Sequence, residues 1–239
     1  MARYRFGKPA QPWLDETGAH DGATYSGMPG TVAGPVGCGD ALGVGPGLAG
    51  VVEDAPAFDL ALGSIDFWVR APATDETIPL LSRDASEAES EHLTFFLSGV
   101  ETEQGTAAWG HLVVRHQSMS TAAALCSEDA LPVDDWVHVA YNFGPPHMEL
   151  YIDGVLQESD DTPVVPGGGI PACDGITNDP EVAGDPVPFV GGMQTSLPWF
   201  IAATAQGSNK VAPEPSAHMG GGALDEIRIS AVRRNFAAL

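Results

Sequence analysis

Three carboxylates spaced two residues apart are one candidate for chemistry in this chain. Glu87, Glu89 and Glu91 lie in the run EAESE, so on a β-strand all three would share one face. Retaining glycoside hydrolases need two carboxyl groups about 5 Å apart, which such a face could supply. The intervening residues are small, however, and the run follows the polar stretch Ser82-Arg83-Asp84. These neighbours favour a solvated, charged loop over a catalytic strand.

Two tryptophans are candidates for sugar binding, because exposed aromatic rings often serve as stacking platforms for sugars. Trp109 lies next to Gly110, and Trp199 follows Leu197-Pro198 where a loop leads into a strand. Either position is compatible with an exposed ring. A β-sandwich also buries tryptophan freely, so a place in the core is an equal alternative for both residues.

Asp225 is the acidic residue with the most unusual predicted surroundings. In the run ALDEIRIS, strict alternation places Asp225 on the same face as Ile227 and Ile229. An ionised carboxylate on a face turned toward the core needs a hydrogen-bonding partner or a cation. The alternative is that Asp225 caps a turn or pairs with Arg3 or Arg5.

The charge balance excludes several partners. The chain has 32 acidic and 10 basic residues, for a net charge of -22. Such a surface repels nucleic acid and anionic membranes, but it attracts cations such as Ca²⁺. Because the acids are spread along the chain and form no EF-hand loop, a solvated acidic shell is the simpler interpretation. No apolar run approaches the ~18 residues of a membrane span.

The three cysteines, Cys38, Cys126 and Cys173, form no CxxC pair, which argues against a zinc ribbon or a thioredoxin-like site. Cys126 and Cys173 both have loop-like polar neighbours, so they are the first choice for a disulfide if the protein is exported. Three reduced thiols in a cytosolic chain are the alternative.

The secondary-structure signals predict an all-β protein. Residues 133–157 read as a hairpin: Trp136 to Phe143 alternates, and Asp153-Gly154 is a strong hairpin signal. Glycine and proline are plentiful, with 29 and 20 residues, as expected for many short strands joined by tight turns. Further strands are predicted along the chain: 2–6, 64–70, 78–82, 93–97, 111–115, 189–190, 199–203 and 223–230. Residues 32–50 are predicted as a loop with at most one short strand, residues 158–188 as a loop insertion, and residues 231–239 as a single helical turn.

The ordered set of motifs resembles the laminin-G-like, concanavalin A-like jelly rolls, including the pentraxin-type modules. The resemblance is carried by YRF with DETG near the start, SIDFWVRA at 64–71, IPLLS at 78–82, WVHVA with LYIDG in the hairpin, and GALDEIRIS at 222–230. It implies a single domain, residues 1–239, built as a two-sheet antiparallel jelly-roll sandwich. The insertion at 158–188 lies outside the pattern.

The resemblance also implies a Ca²⁺ site. In many relatives the aspartate that matches Asp225 binds a structural Ca²⁺ beside the first strand, with backbone carbonyls completing the site. Relatives often carry an acid after the opening aromatic, where this chain has Gly7. That departure removes one potential ligand.

The function expected from these features is extracellular recognition without catalysis. The module would bind a glycan or a protein surface through its loops or a concave sheet, as part of a larger exported protein. The N-terminus lacks the apolar segment of a signal peptide, as expected for a domain cut from a longer protein or for a mature chain given a new Met. The alternatives are a structural subunit of a cell-surface assembly that contacts copies of itself, and a glycan-cleaving enzyme of the same fold.

Overall fold

The structure is a computed structural model that describes residues 1–6, 11–73, 75–84, 91–99, 110–118, 121–157, 187–208 and 212–237. Within these residues it is almost entirely β, with one short 3₁₀ turn at Pro56–Phe58. In chain order the strands are β1 (Ala2–Tyr4), β2 (Ala23–Ser26), β3 (Gly30–Ala33), β4 (Asp40–Gly43), β5 (Ala49–Val52), β6 (Gly63–Arg70), β7 (Ile78–Arg83), β8 (His92–Leu97), β9 (His111–Ser118), β10 (Thr121–Ala130), β11 (Trp136–Phe143), β12 (His147–Ile152), β13 (Val155–Leu156), β14 (Val187–Pro188), β15 (Trp199–Ile201), β16 (Ala203–Thr204), β17 (Ala217–His218) and β18 (Ala223–Ser230).

The strands form two antiparallel sheets packed face to face, which confirms the predicted sandwich. The described part of the first sheet has nine strands, with the order β13-β12-β11-β6-β18-β4-β3; β1 pairs with β18, and β14 with β12. The second sheet has seven described strands, in the order β10-β9-β8-β7-β15-β5-β2. The hairpin of β16 and β17 lies beside β7.

The core lies between the two sheets and is built from the apolar face of each strand. On β6 and β11 the alternation predicted from sequence holds: Ile65, Phe67 and Val69 pair with Tyr141, Val139 and Val137. All six side chains are buried in the central cluster. Burying each side chain of this size contributes about 1.5–3 kcal/mol.

The β12–β13 turn has the conformation that its sequence predicts. Asp153 and Gly154 both have positive φ, 49° and 79°, as a type I′ hairpin turn requires. Asp153 Oδ1 also accepts a hydrogen bond from the backbone N–H of His138 at 2.8 Å, which ties the turn to β11.

Residues 231–237, here called the C-terminal segment, cross the outer face of the nine-stranded sheet. Phe236 is buried against Tyr151 and His138, with ring centroids 5.9 and 6.1 Å apart. The Arg234 guanidinium donates to the buried carboxylate of Asp66 at 2.8 Å. The segment forms bends and a turn in its described part, so the predicted helical turn was wrong there.

Other sequence predictions also needed correction. Residues 32–50, predicted mostly as loop, contain parts of three strands, because neighbouring strands supply hydrogen-bond partners that local propensity does not reveal. The strand predicted at 189–190 was wrong: the strand in this region is Val187–Pro188, because only these two of the described residues here pair with β12. Of the insertion at 158–188, only Val187 and Pro188 lie within the described residues. No described helix has the length and apolar character needed to cross a membrane.

Candidate functional site

A buried carboxylate, Asp84, organises the outer face of the seven-stranded sheet. Asp84 follows β7 directly and is only 1% exposed. Its Oδ1 accepts from Ser82 Oγ at 3.0 Å and from the backbone N–H of Ala205 at 2.8 Å. Its Oδ2 accepts from the hydroxyls of Thr94 and Thr204, both at 2.6 Å. These donors satisfy the buried charge and join β7, β8 and β16 at one point.

A cleft of about 380 Å³ opens above this carboxylate. Strands β7 and β8 form one side, and the β16–β17 hairpin with its connection forms the other. Its volume falls within the range of about 300–1,000 Å³ that is common for small-molecule sites. The apolar part of the lining includes Phe96 and Pro79, and the polar part comprises Thr77, Thr94, Thr204, Gln206 and Ser216.

The polar groups of the cleft have defined hydrogen-bonding roles. Thr94 and Thr204 each donate their single hydroxyl proton to Asp84, so their oxygens can only accept from a ligand. Thr204 Oγ1 already accepts the backbone N–H of Gln206 at 3.2 Å, which leaves it one lone pair for a ligand. Ser216 Oγ donates to a backbone carbonyl at 2.7 Å and is likewise left as an acceptor. Thr77 Oγ1 accepts a backbone N–H at 3.0 Å, which leaves its proton for a ligand. With the amide of Gln206, the cleft presents both donors and acceptors, as a ligand rich in hydroxyl groups requires.

Only one of the two tryptophans predicted to bind sugar is described, and it does not form a platform. Trp199 is fully buried: its ring packs edge-on against Phe58, and the Arg83 guanidinium lies 5.8 Å from the ring centroid. Trp199 is therefore a core residue, which is the alternative given in the sequence analysis. Trp109 lies outside the described residues.

Sequence reasoning missed the exposed aromatic residue of this face. Tyr25 on β2 is 46% exposed, and its ring packs edge-on against Phe200 with centroids 6.1 Å apart. Phe200 belongs to a separate apolar cluster on the outer side of the seven-stranded sheet. The only sign of this exposed ring in the sequence is that the tyrosine lies within a run rich in glycine, serine and threonine.

Asp225 does not point in the predicted direction. Glu226 has φ +52°, and the pairing of β18 with β6 shifts at this residue: Asp225 pairs with Trp68, whereas Arg228 pairs with Asp66. The extra residue is a β-bulge, which reverses the alternation. Asp225 therefore lies on the outer face of the nine-stranded sheet, and its predicted place beside Ile227 on the core face was wrong.

Asp225 is nevertheless buried, with one unsatisfied oxygen. Its Oδ1 accepts from the backbone N–H groups of Glu226 at 2.8 Å and Phe6 at 3.4 Å. Its Oδ2 has no hydrogen-bond partner among the residues that the structure describes. Burial raises the pKa of Asp225 to about 6, although these hydrogen bonds and Arg5 partly oppose the rise.

The neighbouring Glu226, rather than Asp225, pairs with the two arginines of the first strand. Arg3 Nη2 lies 2.6 Å from Glu226 Oε2, and Arg5 Nε donates to Oε1 at 2.5 Å. Burial opposes ionisation of Glu226, but these hydrogen bonds outweigh it and hold the pKa of its carboxyl below the usual range. The predicted pairing with Arg3 and Arg5 is thus displaced by one residue.

The surroundings of Asp225 bring one backbone carbonyl oxygen close to its carboxylate. A Cβ added to Gly34 would stand 3.1 Å from Asp225 Oδ2 and 2.8 Å from the carbonyl oxygen of Gly39, so both oxygens border one small space. Carboxylate and carbonyl oxygens are the ligands that Ca²⁺ takes. The described residues contain no group of three or more acidic, histidine or cysteine side chains that could hold a metal. Gly7 lies outside the described residues.

The acidic run gives no catalytic pair within the described residues. Glu87 and Glu89 lie outside them. Glu91 does not line the cleft; burial raises the pKa of its carboxyl, although a backbone hydrogen bond from Gln194 and the charge of Arg83 partly oppose the rise.

The cysteines follow the predicted pattern where they are described. Cys126 is disulfide-bonded and Cys38 is free. Cys173, the predicted partner of Cys126, lies outside the described residues. Cys126 lies within β10 and is buried, so its predicted loop-like surroundings were wrong.

Comparison with known proteins identifies relatives of this fold. A family model described as the concanavalin A-like lectin/glucanases superfamily matches residues 51–194, more than half of the chain. No curated protein matches the sequence.

Among solved structures, domain 4 of AbnA, a GH43 extracellular arabinanase from Geobacillus stearothermophilus solved with arabinotriose, superposes with a TM-score of 0.58. It is 16% identical, and the match covers 96% of this chain and 90% of that domain. Trypanosoma rangeli sialidase, in complex with a difluoro-nononic acid, matches with a TM-score of 0.53 at 14% identity. That match covers 99% of this chain but only 31% of the sialidase chain.

Proposed function

The chain belongs to the concanavalin A-like lectin/glucanases superfamily, and on that premise we propose that it is an extracellular recognition domain that binds a glycan in the cleft above Asp84. The observation that carries the proposal is the paired arrangement of Thr94 and Thr204. Both hydroxyls are held by one buried carboxylate, so their oxygens are oriented before a ligand arrives. Such preorganisation lowers the entropic cost of binding.

The composition of the cleft supports a sugar over an apolar ligand. Hydroxyl and amide groups stand beside the apolar surface of Phe96 and Pro79. A sugar ring has the same two characters, since its hydroxyls lie around an apolar C–H face. The arabinanase domain solved with arabinotriose gives a precedent for an oligosaccharide on a chain of this fold and similar length.

We propose binding without hydrolysis. Most glycoside hydrolases cleave the glycosidic bond with two carboxyl groups that flank it. No carboxylate is among the described residues that line the cleft, and Asp84 beneath it is occupied by four hydrogen bonds. Release of reducing sugar from a bound glycan would contradict this part of the proposal.

We also propose a structural Ca²⁺ at Asp225. Asp225 Oδ2 and the carbonyl oxygen of Gly39 are the described atoms suited to hold it. Bound there, Ca²⁺ would neutralise a buried carboxylate and fasten the loop at Gly34 to β18. In this role it supports the fold rather than contacting the glycan.

A glycan array followed by calorimetry tests the proposed binding. We expect Gln206→Ala and Thr77→Val each to weaken binding by about 5- to 30-fold, because each removes one or two hydrogen bonds of about 1–2 kcal/mol in total. Gln11→Ala and Thr31→Val are the matched controls, since both residues are exposed and lie outside the cleft. Equal loss in variants and controls, or no bound glycan at all, would overturn the proposal.

A further inference from the structure

We infer that the cleft selects neutral glycans and rejects those that carry a carboxylate, sulfate or phosphate near the bound ring. This inference rests on the proposed function, and it adds the chemical class of the ligand. Its basis is the distribution of charge around the cleft.

The described lining of the cleft contains no ionisable side chain. Its polar groups are the hydroxyls of threonine and serine and the amide of Gln206. An anionic ligand group that leaves water for such a site loses hydration and gains no cationic partner. Recognition of carboxylate or phosphate usually relies on arginine or lysine for this reason.

The charge below the cleft is also negative. Asp84 is buried, and the hydroxyls of Thr94 and Thr204 point their protons toward it. The ends of these hydroxyls that face the cleft are therefore lone pairs. A neutral sugar hydroxyl can donate to them, whereas an anionic oxygen would meet lone pairs and the field of the carboxylate behind them.

Arg115, the described arginine opposite Thr94 in the sheet, is directed away from the cleft. Arg115 pairs with Thr94 across the β8–β9 ladder but does not line the cleft. Its Nη2 lies 3.4 Å from Gln117 Oε1. Gln117 pairs with His92, at the opposite end of the ladder from Phe96. The guanidinium thus extends toward the end of the sheet that is remote from the cleft.

The net charge of the whole chain adds a second barrier. At a net charge of -22, the protein repels anions before they reach the cleft. This long-range part is screened by salt over roughly 10 Å at 0.1 M, whereas the unfavourable contacts inside the cleft are not. The two contributions can therefore be separated by ionic strength.

The test compares matched oligosaccharides that differ only in one group, such as a hexose and the corresponding hexuronic acid. Calorimetry is done at 20 mM and at 500 mM NaCl. We expect the neutral member to bind at least 10-fold more tightly at low salt. The ratio of the two affinities should fall at high salt but remain above 3-fold, because the unfavourable contacts of the acidic group inside the cleft persist.

A charge-reversal variant sharpens the test. Gln206→Arg places a guanidinium in the cleft and should shift the preference toward the acidic member by 10-fold or more. Gln11→Arg makes the same change in net charge at an exposed position outside the cleft and should leave the preference at high salt unchanged. Equal or tighter binding of the acidic member by the unmodified protein would overturn the inference and leave glycan binding intact. If no glycan in the panel binds, the proposed function fails, and this inference fails with it.

Discussion

Thr204 Oγ1 lies 2.6 Å from Asp84 Oδ2, so one hydrogen bond joins residues 120 positions apart in the chain. Thr94 meets the same oxygen from β8. The carboxylate thus fixes the β16–β17 hairpin against the sheet, and the width of the cleft depends on it. A change at Asp84 should therefore affect both stability and binding.

Asp84→Asn should lower the free energy of unfolding by about 2–3 kcal/mol, the value of hydrogen bonds to a charged acceptor. The amide nitrogen that replaces one oxygen cannot accept from a hydroxyl, which leaves Thr94 and Thr204 without their partner or Ser82 without its own. Urea unfolding measures the change. Asp40→Asn, at an exposed position on β4, is the control and should be neutral. A neutral result at Asp84 would show that its network does not hold the hairpin.

Replacing Asp225 with asparagine should have different effects on protein stability with and without calcium. In EDTA at pH 7.5, Asp225→Asn should stabilise the protein by about 2 kcal/mol, because it removes a buried charge with an unsatisfied oxygen. With excess Ca²⁺, the unmodified protein should gain thermal stability and the variant should not. Melting curves under the two conditions measure both effects. An unmodified protein that melts at the same temperature in EDTA and in Ca²⁺ would rule out the metal.

The gain from Asp225→Asn in EDTA should depend on pH. Burial raises the folded-state pKa of Asp225 to about 6 from its usual 3.8, so the folded protein binds this proton more tightly than the unfolded chain does. The resulting stability is fully present below pH 3.8 and is lost as the pH rises through 6. Above pH 6, Asp225→Asn should therefore have a higher free energy of unfolding than the unmodified protein, and this difference should disappear near pH 4. A difference that does not change with pH would contradict the raised pKa.

His116 should make the fold sensitive to acid. It is fully buried in the core with Nδ1 2.7 Å from Tyr141 Oη, and burial lowers its pKa to about 4 from the usual 6.5. The unfolded chain therefore takes up this proton first. Stability that is present above pH 6.5 is lost as the pH falls toward 4, by roughly 3 kcal/mol.

The measurement is the slope of unfolding free energy between pH 7 and 4.5. His116→Phe should remove the contribution of His116 to that slope, even if the variant is less stable at neutral pH. His147→Gln, at a partly exposed histidine, is the control and should keep the slope of the unmodified protein. Asp225 acts in the opposite direction over much of this window, so the test is clearest in an Asp225→Asn background. If the unfolding free energies of the two histidine variants have the same slope against pH, the acid sensitivity does not come from His116.

Tyr25 should matter only for long glycans. It stands on β2, four strands from Thr94 on β8, or roughly 19 Å at about 4.8 Å per strand. Tyr25→Ala should weaken binding of ligands that span this distance by about 3- to 10-fold, as expected for loss of an aromatic contact. Short ligands confined to the cleft should be unaffected. Met28→Ala, at another exposed apolar position, is the control. Equal effects on short and long ligands would refute the platform.

Phe236 should be essential to the attachment of the C-terminal segment. Because its ring is buried against Tyr151 and His138, Phe236→Ala should cost about 3 kcal/mol in unfolding free energy. Val232→Ala, in the same segment but exposed, should cost less than about 0.5 kcal/mol. Comparable costs for the two variants would mean that burial of the ring contributes little.

Local alternation predicted the scaffold well but missed the bulge. β11 has the predicted bounds, β6 begins one residue earlier than predicted, and both have the predicted faces, because each strand is regular and paired along its length. β18 has the predicted bounds, yet Glu226 adds one residue to the ladder. No residue type marks a bulge at a non-glycine position, so strict alternation placed Asp225 on the wrong face.

The cleft could not be predicted, because its residues form no local pattern. Asp84 follows β7, whereas Thr94 and Thr204 lie on β8 and β16, and ordinary threonines carry no motif. These residues form one hydrogen-bonded group only because the fold brings β8, β7 and β16 together. Likewise, the choice between core and surface for Trp199 depends on Phe58 and Arg83, which are distant in sequence.

The pairing of β1 with β18 determines how the fold would respond to tension. Ala2 lies opposite Ile229, so the leading end of β1 and the trailing end of β18 meet at the same end of the ladder. A pulling force applied between the two ends of the chain would open these hydrogen bonds one at a time, as in unzipping, rather than loading them together in shear. The same force would act at the other end of the chain on the C-terminal segment, where Arg233 contacts Glu149 and Arg234 contacts Asp66. Detachment of β1 from β18 does not require these ion pairs to break, so the two ends of the chain can yield independently.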